Sequence, residues 1–274
     1  MSRFFNIVKP ILTLGFLAAA LGAQAHEFWI QPHAYRLSAG SRLVADVRVG
    51  MDFGGNKLAY LPNQINAFNI TDADGPHKIE GRIGDIPSVN ITPTGDGLQI
   101  LNLFSTSSVL TWDEFQKFDD FVNLHGMAWV LERHAARGLP DAGFKEAYTR
   151  FVKSLVAIGD GAGQDHFTGM FFELVAGKNP YTDDMSGGMP ITVLFKGEPL
   201  PDKQVDLFYR DLDGKVFRVS VQSDANGRAI IPNVGDGEYM VNVVHIIEPF
   251  PEDQARTGVV WHSLWGSITF AIGA

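Results

Sequence analysis

The sequence predicts a mainly β fold: two β-sandwich domains, with a helical insertion in the first. Three observations predict it. Short apolar/polar alternations rich in aromatic and β-branched residues recur along the chain. Turn clusters fall between them, such as Asp72-Ala-Asp-Gly75, Asp211-Leu-Asp-Gly214 and Asp224-Ala-Asn-Gly227. One stretch, from about residue 111 to 158, replaces that rhythm with helical spacing.

The elements follow in order. Arg3 and Lys9 precede an apolar run from Ile11 to Gly22, and Ala23-Gln-Ala25 supplies the small residues of a signal-peptidase site. Residues 1–25 are therefore expected to be a cleaved signal peptide and the mature protein to be periplasmic. The run is too short for a comfortable membrane span, and no later segment reaches about 18 apolar residues. Strands are expected at His26–Ile30, Arg42–Val49, Asn66–Thr71, Lys78–Ile83 and Leu98–Ser105. Thr111-Trp-Asp-Glu114 has the form of a capping box. Phe115, Phe118, Phe121 and Val122 follow at helical spacing, and Gly126–Ala136 and Gly143–Ile158 continue it.

Phe171–Val175 reads as a strand that closes an N-terminal domain over 26–180. Asn179–Gly188 is a polar linker and the expected domain boundary. A C-terminal β-sandwich is expected over 188–274. Its strands are Ile191–Phe195, Gln204–Tyr209, Val216–Val221, Arg228–Ile231, Tyr239–His245 and Trp265–Ile272.

Composition removes whole classes of function. The chain has 274 residues, 45% hydrophobic and 19% charged, which is a globular composition. Its formal charge is −9, with no basic cluster, so nucleic acid is not an expected partner. There is no Cys, which excludes disulfides, thiolate metal sites and a Cys nucleophile. There is also no Gly-x-Ser-x-Gly elbow, His-Glu-x-x-His motif, phosphate loop or dinucleotide fingerprint. A non-enzyme is expected.

Cleavage after Ala25 changes the chemistry at the front of the chain. It leaves 249 residues at a formal charge of −11 and makes His26 the N-terminal residue. Such a residue offers two nitrogen donors, its α-amine and its imidazole, which suit nickel, cobalt or copper. The α-amine has an ordinary pKa near 7.7–8.0 and is readily deprotonated for a metal. His245, His262 and His33 are the expected companions, because imidazole is the main nitrogen ligand left without Cys. His33 lies seven residues on and would have to fold back. His125 and His134, nine residues apart on an expected helix, would face opposite sides. His77 and His166 lie in turn-like segments.

The mature start His26-Glu-Phe-Trp-Ile-Gln-Pro32, the block Phe115–Asp160, the unit Gly197-Glu-Pro-Leu-Pro201, Ser223-Asp-Ala-Asn-Gly-Arg228 and Val244-His245, and the run Trp261–Phe270 together resemble the domain of unknown function 4198 family. That resemblance covers essentially the whole mature chain. It implies two β-sandwich-like domains of the immunoglobulin or transthyretin type, the second, over 188–274, transthyretin-like, together with export and a link to nickel or cobalt uptake. A metal permease or an outer-membrane receptor would then be the partner. This chain departs from a metal-delivery pattern in having no His-rich tract. The alternative expectation is a non-catalytic module that binds a protein or glycan through its sheet surfaces. An N-terminal His with a second His is also similar to the copper sites of oxidative polysaccharide-cleaving enzymes, but those rely on disulfides that this chain lacks.

Overall fold

A computed structural model describes residues 26–273; the expected signal segment 1–25 lies outside the described residues. The first strands are β1 (Glu27–Pro32), β2 (Arg36–Leu37), β3 (Leu43–Met51), β4 (Gly54–Leu58), β5 (Ile65–Asp72), β6 (Gly75–Lys78), β7 (Val89–Ile91), β8 (Gly97–Ser105) and β9 (Ser108–Trp112). Helices α1 (Phe115–Leu124) and α2 (Trp129–Ala136) follow, then β10 (Phe144–Ile158) and β11 (Phe172–Ala176). The remainder holds β12 (Met189–Phe195), β13 (Glu198–Pro199), β14 (Gln204–Asp211), β15 (Val216–Gln222), β16 (Arg228–Ile231), β17 (Gly237–Ile247), helix α3 (Pro251–Thr257) and β18 (Val259–Ile272).

The fold is mainly β, as predicted, and built from packed sheets. A ten-stranded sheet runs in the order β15-β14-β17-β18-β10-β8-β5-β6, with β2 and β9 also paired to β10. At its centre β10 and β18 run parallel, with Glu146 opposite Trp261 and Ser154 opposite Thr269. Strands from both sides of residue 188 thus share one sheet, and the Asn179–Gly188 linker does not divide it.

Each face of this sheet has its own cover, and side-chain alternation decides which residues meet it. On one face Phe151, Leu155, Leu207, Val243, Leu264 and Ile268 pack against the sheet of β11, β12, β13 and β16. On the other face Val152, Val156, Leu101 and Leu103 meet the sheet of β1, β3, β4 and β7. Helices α1 and α2 cover the rest of that second face, over Val244, Ile246, Trp261 and Trp265.

Three expectations are corrected here. Gly143–Ile158 is not a helix: Phe144–Ile158 is strand β10, so the helical insertion shrinks to residues 115–136. Its Phe and Val residues recur at helical spacing because both faces of a central strand are buried. The capping box does not form either. Thr111 lies in β9 and Glu114 precedes α1 with no side-chain cap. The expected strand Lys78–Ile83 is reduced to the short β6, which ends at Lys78. Helix α3 was not anticipated, although Pro251 at its first turn, Glu252, Asp253 and a left-handed Gly258 are its ordinary start and stop signals. Among the described residues no helix is long and apolar enough to cross a membrane.

Candidate metal centre

Strand β1 positions the expected N-terminal residue. It pairs with β3, Glu27 opposite Gly50 through Pro32 opposite Ala45, and lies against the central sheet. Two hydroxyls fix it there. Ser267 Oγ donates to the Phe28 carbonyl at 2.7 Å, and Thr269 Oγ1 donates to the Ile30 carbonyl at 2.7 Å. β1 therefore runs in step with β18, and His26, two residues before Phe28, comes level with Trp265. The His125 ring packs edge-on against Trp265, with centroids 5.2 Å apart.

A second line reaches the same place. Glu27 lies within electrostatic reach of Asp52, Asp206 and Arg218. Asp206 Oδ2 stands 3.9 Å from His125 Nδ1 and accepts from Arg218 at 2.9 Å, while Oδ1 accepts from Ser220 Oγ at 2.5 Å. Glu27 at the start of β1 thus lies within electrostatic reach of a polar group in which Asp206 is bound by Arg218 and approached by His125, with Asn242 opposite Asp206 across the β14–β17 pair.

Arg218 already neutralises Asp206 in this group, and burial governs its two titrating members. Burial raises the Glu27 carboxyl to about 7. Burial also holds the His125 imidazole down at about 4, against the pull of Asp206, so it is neutral at pH 7. The 3.9 Å approach to Asp206 is then not a charge pair, and it is too long for a hydrogen bond. A neutral imidazole is the form that binds a metal. His26 Nδ1, Glu27 Oε2 and Asn242 Nδ2 are buried and have no hydrogen-bond partner among the described residues, an expensive condition for groups shielded from water. Among the described residues, no three His, Asp or Glu side chains converge as a preformed metal cage. Any site here needs the second nitrogen that the freed α-amine of His26 would add.

The other expected ligands lie elsewhere. His33 follows β1 at its far end, roughly 20 Å of extended chain from His26, and cannot fold back to it. Its Nε2 is bound instead to Asp46 Oδ2 at 3.1 Å, which Lys57 also contacts at 2.9 Å. His245 lies opposite Leu264, and His262 opposite Ile247, so both histidines share one face of the sheet. That face carries Phe172 and Phe195, and β1 is on the opposite one. His262 Nε2 is 2.9 Å from Thr149 Oγ1. The sheet itself therefore separates His245 and His262 from His26. His134 is also occupied, through Nε2 on the Pro140 carbonyl and Nδ1 accepting from Trp261 Nε1.

Sequence reasoning missed His125, Glu27 and Asp206. His125 is the residue that ends α1, not a member of a continuing helix. Asp206 carried a visible signal, a lone carboxylate inside the apolar run Val205–Tyr209.

A second feature lies on the other face, near β5 and β8. Asn69, Asn102, Phe104, Phe167, Phe171 and Lys196 line an open cavity of about 470 Å³. Asn102 Oδ1 is buried there with no partner among the described residues, and the exposed Phe167 forms part of the rim.

No curated protein matches the chain. Among solved structures, the tetra-tandem repeat in the extending region of a large adhesion protein aligns with 13% identity and a TM-score of 0.24. That alignment covers 91% of this chain and 50% of the other, so the chain spans about half the length of the structure it matches. The profile of a family described as Domain of unknown function (DUF4198) matches residues 23–247, and the chain belongs to that family.

Proposed function

We propose that this is an exported periplasmic protein that binds a transition-metal ion, nickel, cobalt or copper, at its mature N-terminus and serves the uptake or handling of that ion. A metal permease or an outer-membrane receptor is the partner such a role requires. The observation that supports the reading is the pair of orphaned atoms at the head of β1, His26 Nδ1 and Glu27 Oε2, with the neutral His125 packed on Trp265 of the strand that β1 follows. The α-amine and imidazole of His26 and the imidazole of His125 would hold the ion, with Glu27 and Asp206 supplying negative charge. The role is binding rather than catalysis.

The test is a calorimetric titration of Ni(II), Co(II) and Cu(II) into protein processed by signal peptidase. One of the three is expected to bind tighter than about 10 μM. His26→Ala, His125→Ala, and an extra Met ahead of His26 each abolish that binding. No binding of any ion, or binding that survives all three changes, overturns the reading.

The cavity favours a second reading, recognition of a glycan or protein segment. Its orphaned Asn102 amide oxygen and exposed Phe167 ring are the polar and aromatic groups such a ligand uses. A glycan and peptide screen in which Asn102→Ala and Phe167→Ala lose the hit, with metal binding intact, supports it. A screen without hits removes it.

A further inference from the structure

Lys153 is a fully buried charged side chain of the central sheet, with its amine out of water. Its Nζ lies 2.7 Å from Asp165 Oδ1, 2.7 Å from Glu173 Oε1 and 2.9 Å from the His166 carbonyl oxygen. Both carboxyl groups are equally sealed. Phe151, Leu155, Phe172, Leu174 and Ala176 form the apolar surroundings. Dissecting this triad as an ordinary ion cluster leaves a charge problem. One ammonium against two carboxylates carries a net negative charge in a site without water, where an unbalanced charge is very costly. The neutral alternative keeps one carboxyl protonated, and burial raises the Asp165 carboxyl accordingly.

We propose that Lys153 and Asp165 are joined by an intramolecular amide bond, formed within the folded chain with Glu173 as the proton acceptor. Glu173 takes a proton from the Lys153 ammonium. The freed Nζ electron pair attacks Cγ of the protonated Asp165, forming the N–C bond. The Asp165 oxygen that faces the amine leaves as water, carrying the carboxyl proton and one proton from Nζ. One proton stays on the amide nitrogen, and the former ammonium proton remains on Glu173. The triad is neutral before and after, nothing is oxidised or reduced, and no external reactant is needed.

The geometry provides each requirement of that step. The retained oxygen, Asp165 Oδ2, accepts the Ala176 N–H at 2.8 Å, a fixed donor for the oxyanion that develops there. Glu173 is held by Thr168 N and Oγ1 at 2.9 and 3.0 Å on Oε1 and by Met170 N at 3.0 Å on Oε2. Fixed reactants of this kind reach effective molarities of about 10⁵ M or more. Exclusion of water removes the competing hydration of both charges and opposes hydrolysis of the product.

Mass spectrometry of the purified mature protein decides the matter. Its intact mass is expected to be lower than the sequence mass by one water. Trypsin does not cut at an acylated lysine, so digestion is expected to give one peptide, Phe151–Lys178, also lacking one water and uncut after Lys153. Glu173→Gln is expected to restore the full mass and cleavage after Lys153. Full mass in the native protein overturns the proposal whether or not the variant folds. A succinimide at the Asp160-Gly161 step would also lose water, but it leaves Lys153 cleavable, and that result overturns the proposal as well.

Discussion

Trp112 Nε1 donates a hydrogen bond to Glu146 Oε2 at 2.8 Å, and the Glu146 carboxyl has no contact with water. Ser263 Oγ donates to the other oxygen at 2.5 Å, and Trp265 Nε1 donates to Ser263 Oγ at 3.0 Å. This chain of donors ties β9, β10 and β18 together beneath the helices. Burial outweighs those donors and raises the Glu146 carboxyl to about 7.

The sign of its pH effect follows. The folded state keeps a proton that the unfolded chain releases above its ordinary value near 4.5. The stabilising contribution is complete below 4.5 and is lost as pH rises through about 7. Glu146→Gln keeps the shape and can bond both Trp112 and Ser263 without a charge. Relative to the native protein, it is expected to gain stability from pH 5 to pH 8 by up to about 3 kcal/mol. Urea unfolding of both proteins at the two pH values measures this. An unchanged difference would show that Glu146 does not titrate in the fold.

Trp29 joins β1 to the distal end of the central sheet. It is fully buried, edge-on to Phe53 at 5.9 Å between ring centroids, and clustered with Phe208 and Met240. Its Nε1 has no partner. Trp29→Ala opens a large cavity and is expected to cost about 3–5 kcal/mol. Trp29→Phe loses less volume and also removes the orphaned donor, so it is expected to cost only about 1 kcal/mol. Equal costs for the two variants would mean that the indole N–H has found a partner.

Gly266 marks where two sheets touch. A Cβ at this position on β18 would lie 2.9 Å from Phe172 Cε1 and 3.2 Å from Cδ1, on β11 of the covering sheet. Gly266→Ala is expected to destabilise by about 1–3 kcal/mol through overpacking. Phe172→Leu makes room, so the double variant is expected to be more stable than the sum of the single effects. Thermal unfolding of the four proteins measures the coupling, and strict additivity would refute the contact.

Much of the fold was readable because most strands have one period and clear turns. Arg228–Ile231 and the expected strands at Gln204 and Val216 coincide with β16, β14 and β15 to within two residues. Strand β10 was not readable, because a strand buried on both faces has no polar side to betray its period. Its aromatic and β-branched content was the better guide than spacing. The joint sheet was also hidden: the parallel pairing of β10 with β18 brings together segments more than a hundred residues apart. His26 was legible as a candidate from the cleavage signal alone. His125 was not, because the residues that surround it, Asp206 and Trp265, are both distant in sequence.

His245 separates a core histidine from a ligand. Its ring sits 5.1 Å from that of Phe195 and 6.1 Å from that of Phe172, and burial, aided by the nearby Lys203 charge, lowers it to about 4. The folded state therefore refuses a proton that the unfolded chain accepts below its ordinary value near 6.5. Its contribution to stability is complete above 6.5 and is lost as pH falls towards 4. His245→Leu fills the same space without a titrating group or the orphaned Nδ1. The variant is expected to gain about 2 kcal/mol on the native protein between pH 7 and pH 5. Because the central sheet stands between His245 and β1, its metal affinity is expected to be that of the native protein. Denaturation at the two pH values tests the first expectation and the metal titration tests the second. A loss of metal binding in His245→Leu would place the ion on the other face of the sheet and withdraw His125 as its ligand.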